Sequence, residues 1–298
     1  MNGVLVVDKP VGITSQIVIS AVRRVTGERR VGHCGTLDPL ASGVLPVMVG
    51  KATKACEFLM DHEKNYTASV RLGITTDSED VTGQILTTYS GPLPSFEEFR
   101  AAAEAFVGEI EQVPPMYSAL KQNGQKLVDL ARQGITVDRA PRKVTIHSIR
   151  AYEQDGEYLL DVHCSRGTYI RTLCAEIGRV LGCGGCMSTL RRTSVGQFSL
   201  SESIPLDTLR TYSPEQAEGA LIPLEQIFAH LPQISLPPFF ARLYGNGERI
   251  ALEKLRTAFP QGAQKGTLHR VYTPDGRLTL GEVTEWNGKA VFGAKIFF

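Results

Sequence analysis

The sequence predicts an α+β fold: a mixed, largely antiparallel sheet with flanking helices, followed by a small β-rich domain. Three observations carry this expectation. Strand-like apolar or alternating runs are interspersed with capped helical segments over the first two hundred residues. Two of the strand-like runs, Lys143–Glu153 and Glu157–Ser165, are joined only by Gln154-Asp155-Gly156, which makes them neighbours. From about residue 239 the chain turns into short strands punctuated by glycine. No internal repeat or low-complexity tract interrupts this pattern.

The elements follow in order. Val4–Val7 is an apolar run ahead of Asp8-Lys9-Pro10 and reads as a buried strand entering a loop. Ser15 is placed to cap a helix over roughly Gln16–Val25, with Gly27 as its stop. Residues 28–50 are rich in Gly and Pro with little periodicity, and read as a long functional loop region. Tyr66–Leu72 alternates as a strand. Ser95 with Glu98 forms a capping box that opens a helix to about Phe106, and Pro114-Pro115 ends that unit. Leu127–Arg132 is a short helix stopped by Gly134. Thr168 is placed to cap a helix over Tyr169–Leu181, with Gly182 after it. Residues 205–238 mix helix with Pro-rich linker, and a helical Glu253–Phe259 precedes the final strands. Two domains are expected, 1–238 and 239–298.

Composition narrows the class. The chain has 298 residues, 42% hydrophobic and 21% charged, which suits a soluble globular protein. It has no apolar run long enough to span a membrane and no secretory signal pattern. The six cysteines show no disulfide-framework spacing and read as reduced thiols in a cytoplasmic protein. Cys183 and Cys186 form a single Cys-x-x-Cys without a second ligand pair, so no metal site is expected. The formal net charge is +1, but the charges are segregated. Residues 60–111 carry three Lys/Arg against ten Asp/Glu, residues 115–150 seven against two, and residues 165–197 five against one. Such blocks let one face bind a polyanion under a near-neutral total, and they equally fit solvated faces.

The densest segment is Gly32–Pro46, GHCGTLDPLASGVLP. Its glycines permit close backbone approach or positive φ, and Asp38 before Pro39 is held extended. A carboxylate in a Gly-rich, weakly charged loop is a candidate nucleophile or base, and it also fits an Asx-type turn. No Walker-type phosphate loop and no dinucleotide glycine fingerprint occur, so no cofactor is expected.

The run GHCGTLDPLASGVLPVMVGKATK resembles the signature of the TruB-type tRNA pseudouridine synthases. So do GVLVVDKPVGITS at residues 3–15, Lys64-Asn65-Tyr66, PPMYSALK at 114–121, SRGTYIRTL at 165–173 and LRRTSVGQF at 190–198, all in the same order as in the family. GCGGCM at 182–187 departs from the family's usual Gly-x-Gly-Ala-His, at a position that touches no presumed catalytic residue. The C-terminal segment looks like a PUA-type RNA-binding domain.

The resemblance implies the pseudouridine synthase fold and a uridine-isomerising enzyme. Asp38 matches the family's catalytic aspartate. It would attack the anomeric carbon or carbon 6 of the uracil, or act as a base at the 2′ carbon, and the sequence does not choose among these routes. Arg171 would pair with Asp38 and help keep it ionised against desolvation. Tyr66 would stack on the target base, Tyr169 and Leu190 would line the uridine pocket, and His33 would fill the gap left when the base flips out. Lys9 and Pro10 would support the active-site loop. The basic insertion at about 114–142 would grip RNA phosphates. The implied substrate is the T stem-loop of tRNA, with uridine 55 as target, and the implied state is a monomer without an obligatory protein partner. The alternatives are a guide-dependent rRNA pseudouridine synthase and a non-catalytic tRNA-folding or RNA-binding module.

Overall fold

The computed structural model describes residues 1–60, 62–259 and 262–298. The chain opens with β1 (Gly3–Lys9), a strand of almost wholly buried residues, and α1 (Ser15–Thr26). Gly27 ends α1 in the left-handed conformation at φ 68°, as a glycine stop should. The cap is Thr14 rather than Ser15. Ser15 is buried, and its hydroxyl exchanges hydrogen bonds with the backbone of Leu37, accepting from the N–H and donating to the C=O at 2.9 Å each. The residue that looks like a cap instead ties the helix start to the loop carrying Asp38.

Residues 28–50 are not one long loop. They hold β2 (Val31–His33) and β3 (Ala41–Val49), leaving a loop only between them. β3 is apolar on both faces, so it shows no period-two alternation. A 3-10 turn over Gly50–Ala55 and α2 (Cys56–Met60) lead to β4 (Lys64–Leu72). A small hairpin, β5 (Ile74–Thr76) and β6 (Ile85–Thr88), precedes α3 (Phe96–Glu104). The Ser95–Glu98 capping box is formed as expected, though α3 stops two residues short of Phe106. β7 (Gly108–Gln112) then enters the 114–142 insertion, which contains the hairpin β8 (Lys121–Gln122) and β9 (Gln125–Lys126) and α4 (Leu127–Arg132). Met116, Leu127 and Leu130 give the insertion a small core of its own.

β10 (Arg142–Gln154) and β11 (Glu157–Cys164) are antiparallel neighbours. Asp155 and Gly156 both have positive φ, which suits a two-residue hairpin turn. α5 (Ile170–Val180) starts at Tyr169, which caps without a side-chain bond. Thr168 does not serve as the cap, because its hydroxyl donates to the Ser165 carbonyl. β12 (Gly185–Val195), β13 (Phe198–Ser199) and β14 (Ile204–Pro205) complete the sheet, followed by α6 (Leu206–Leu209), α7 (Pro214–Gly219) and α8 (Leu224–Ile227).

Among the described residues, ten strands form this sheet along the order β14-β1-β3-β12-β4-β11-β10-β7, with β13 on β12 and β2 on β3. It is mixed and largely antiparallel, with β1–β14 and β3–β12 the parallel pairs. One main core cluster joins α1, α3 and α5 to the central strands through residues such as Val18, Phe99, Leu173, Leu160 and Val47.

A second sheet has the order β15-β17-β18-β19-β16, made of β15 (Gln233–Ile234), β16 (Ile250–Ala251), β17 (Leu268–Tyr272), β18 (Leu278–Trp286) and β19 (Lys289–Phe297). α9 (Pro238–Gly245) lies between β15 and β16. The helix expected at Glu253–Phe259 is only a short 3-10 turn over Leu252–Leu255. Leu278, Leu280 and Phe298 pack with Val4, Met48 and Phe228 in one cluster, so this sheet is docked against the larger one.

Candidate active site

The parallel contact of β3 with β12 builds the site. Gly43 lies opposite Arg192 at φ 104°, and a Cβ there would come within 2.1 Å of the Arg192 carbonyl oxygen. Only glycine allows this approach. The loop preceding β3 carries Asp38, whose side chain is 38% exposed.

Arg171, on the first turn of α5, is 4% exposed. Its Nε lies 3.0 Å from Asp38 Oδ2, its Nη1 donates to the Ser78 carbonyl at 2.9 Å, and its Nη2 donates to the Tyr117 carbonyl at 2.7 Å. The guanidinium is thus fixed by backbone and presents one donor to the carboxylate. Asp80, also buried, stands 4.0 Å from the same Nε and is itself held by Ser78 and Thr82.

Both effects expected at Asp38 are present, and the structure gives their balance. Burial pushes its carboxyl above the usual carboxylate range, Arg171 pulls it down, and Asp80 pushes it up again. Desolvation wins, so Arg171 limits the rise without reversing it.

Lys9 is fully buried at the end of β1, and its Nζ donates to the carbonyls of Pro10 at 2.9 Å and Ile13 at 2.7 Å. Burial lowers its ammonium to about 8, with Asp38 acting in the opposite direction. Pro10 itself is exposed and enters the site only through that carbonyl. Tyr66 is 8% exposed on β4, directly opposite Arg192, and burial pushes its phenol upward. Tyr169 is half-buried at the head of α5, its backbone held by both ends of the Gln112 amide, and burial raises its phenol as well. Asp38 acts electrostatically on Lys9, Tyr66 and Tyr169, which places all four in one neighbourhood. Leu190 is buried on β12 in the same core cluster as Leu37 and Tyr66. His33 ends β2. Burial and then Arg192 hold its imidazole below the usual range, and its buried Nδ1 has no hydrogen-bond partner among the described residues.

Two residues escape the sequence reading. Arg192 is 1% exposed, and it donates from Nε to the Val44 carbonyl at 2.8 Å and from Nη2 to the Gly35 carbonyl at 3.0 Å. It braces both ends of the Asp38 loop. Asp80 sits inside an acidic block that looks like a solvated face. The signal for Arg192 is the pair of glycines, Gly35 and Gly43, that make room for it.

A loop carboxylate aimed by a buried, backbone-fixed guanidinium beside two tyrosines, on a mixed sheet of this order, defines a pseudouridine synthase. Solved structures agree. A Cbf5–Nop10–Gar1 complex matches with a TM-score of 0.71 and 29% identity, covering 99% of this chain and 84% of that one. An H/ACA ribonucleoprotein bound to a substrate RNA containing 2′-deoxyuridine matches with a TM-score of 0.70 and 27% identity, covering 99% and 85%. The chain belongs to the TruB family of pseudouridylate synthases, whose N-terminal domain matches residues 23–170, with the tRNA pseudouridylate synthase B C-terminal domain matching residues 171–229. It is 44% identical over 283 residues to a tRNA pseudouridine synthase B of Aromatoleum aromaticum, covering 95% of this chain and 89% of that protein. It is 46% identical over 251 residues to one of Alkaliphilus oremlandii, covering 84% and 83%.

Proposed function

We propose that this protein isomerises uridine 55 in the T loop of tRNA to pseudouridine, with Asp38 as the reacting carboxylate. The Asp38–Arg171 pair carries the reading. Arg171 holds one carboxylate oxygen, and the other meets the flipped uridine as the glycosidic bond to nitrogen breaks and re-forms to carbon. Tyr66 stacks on the base, Tyr169 and Leu190 line its pocket, and His33 enters the gap in the RNA stack. Lys9, through the Pro10 and Ile13 carbonyls, keeps the neighbouring loop in place. No bound cofactor takes part, since the reaction is redox-neutral and conserves atoms.

The 114–142 insertion offers exposed Lys121, Lys126, Arg132 and Arg142 to RNA phosphates, which makes binding strongly salt-dependent. Residues 239–298, with β15 at Gln233–Ile234 joining their sheet from the end of the 1–238 segment, act as a PUA-like RNA-binding domain beside the catalytic domain. The protein works as a cytoplasmic monomer without guide RNA or protein partner. Among the described residues, no helix is long and apolar enough to cross a membrane.

An unmodified T stem-loop carrying tritium at carbon 5 of its uridines tests this. Release of tritium by the purified protein alone, with pseudouridine mapped to the loop position, is the expected result. No release from the stem-loop or from full tRNA refutes stand-alone isomerisation.

A further inference from the structure

Glu63, His147 and His163 form a second constellation, separate from the residues around Asp38. Glu63 immediately precedes β4, where Asn65 lies opposite His163 and Lys64 opposite Cys164. Side chains alternate along a strand, so Glu63 shares the face of Asn65 and His163. A bulge in β10 between Ile146 and Ser148 leaves His147 and Ser148 together against His163. Ile146, Ile149 and Cys164 turn to the core, while both histidines stay on the solvated face. Three adjoining strand positions thus converge. His147 Nε2 is 3.1 Å from Glu63 Oε1, His163 Nε2 is 2.9 Å from Glu63 Oε2, and the two imidazole rings are 4.7 Å apart.

We propose that these three side chains bind a divalent transition metal of the zinc type, with water completing the shell. All the donor atoms lie within 4.8 Å of one another. A tetrahedral ion with bonds of about 2.0–2.1 Å sets its donors about 3.3 Å apart. The two nitrogen–oxygen spacings, 3.1 and 2.9 Å, are within a few tenths of an ångström of that value. Each imidazole faces a different Glu63 oxygen, so an ion would take the place of these two hydrogen bonds with side-chain rotation drawing the three donors around it. The donor set is selective. Two imidazoles and one carboxylate suit zinc, cobalt, nickel or copper, whereas magnesium and calcium favour oxygen ligands.

The scaffold is rigid where it matters. β11 is paired with β10 on one side and β4 on the other, and the Glu63 carbonyl accepts from the Gly196 N–H at 2.9 Å. The side chains are 33–55% exposed, which leaves the ion an entry path and room for water. Lys64 and Tyr66 follow directly on the opposite, buried face of β4, so the ion would clip together the strand ends that lead into the active site.

The test uses the full-length protein stripped with a chelator. Calorimetric titration with zinc chloride should show one equivalent bound at this site, and cobalt should give visible d–d bands of nitrogen and oxygen coordination. Glu63→Gln, His147→Gln and His163→Gln keep side-chain volume. Each should weaken zinc binding by more than the about 10–100-fold that loss of an outer-shell partner typically costs. Zinc should raise the melting temperature of the wild type and not that of the variants. Melting curves in chelator establish that each variant is folded. Absence of binding, cobalt bands carrying a thiolate charge-transfer signal, or zinc affinity unchanged in all three variants would overturn the proposal.

Discussion

Arg171→Lys separates geometry from charge at this site. Arg171 spends three donors, on Asp38 Oδ2 at 3.0 Å, the Ser78 carbonyl at 2.9 Å and the Tyr117 carbonyl at 2.7 Å. A lysine keeps the charge but loses the planar fork, so it cannot serve three acceptors lying in different directions. Hydrogen bonds to a charged group contribute about 1.5–3 kcal/mol each, which puts two lost carbonyl bonds at about 3–6 kcal/mol. Tyr117 is only partly buried, so water recovers some of this, and a loss of about 2–4 kcal/mol is expected. A domain stability of about 5–15 kcal/mol leaves the variant folded. The kinetic effect has a definite sign. Asp38 already titrates above the usual carboxylate range, and Arg171 is the main influence holding it down. A looser partner raises it further. With ionised Asp38 as the proposed reacting group, kcat/KM is expected to climb with pH through that pKa, and the acid limb of the variant to move to higher pH. Urea unfolding and a pH–rate profile of tritium release check both halves. Wild-type stability together with an unmoved acid limb would show that Arg171 neither anchors the Ser78 and Tyr117 carbonyls nor lowers the Asp38 carboxyl.

Other consequences follow from the same geometry. Asp38→Asn should be more stable than the wild type at pH 7, because a carboxyl whose folded pKa is raised costs stability once ionised. The advantage should fade as pH falls through the raised folded pKa and be gone below the ordinary value of about 3.9, and calorimetric melting across pH reads it; a variant no more stable at pH 7 contradicts it. Tyr66→Phe should slow turnover more than it weakens RNA binding if the phenol moves a proton, and an unchanged kcat would limit Tyr66 to stacking, worth about 1–3 kcal/mol per base. Gly43→Ala puts a methyl group 2.1 Å from the Arg192 carbonyl at φ 104°, and a loss of about 2–5 kcal/mol is expected from strain plus overpacking. An unaltered melting temperature would show that β3 and β12 are not locked at that point.

Much of the architecture was legible because local chemistry and fold agree. The Ser95–Glu98 capping box, the Asp155-Gly156 turn and the Gly27 stop each do what their residue types suggest. β3 was hidden for a physical reason. It is buried on both faces, and Gly43 and Pro46 mimic a loop. Pro46 is tolerated because its carbonyl accepts from the Cys34 N–H, so its missing donor faces that side and not the β1 ladder. Ser15 and Thr168 failed as caps because tertiary partners, Leu37 and Ser165, claim their hydroxyls. At the site, the residue types and their motif pointed to Asp38 and Arg171. The sequence named burial and Arg171 as opposing influences on Asp38 and could not weigh one against the other. Arg192 went unassigned because an arginine in a strand reads as surface until the carbonyls of Gly35 and Val44 are seen to receive it.

Asp38 is expected to perform the isomerisation and to contribute little to holding the RNA. Single-turnover conversion of an unmodified T stem-loop, measured beside its Kd for wild type and Asp38→Asn, tests this most directly. Conversion abolished with the Kd nearly unchanged is the predicted result. Conversion at the wild-type rate in Asp38→Asn would remove Asp38 from the reaction.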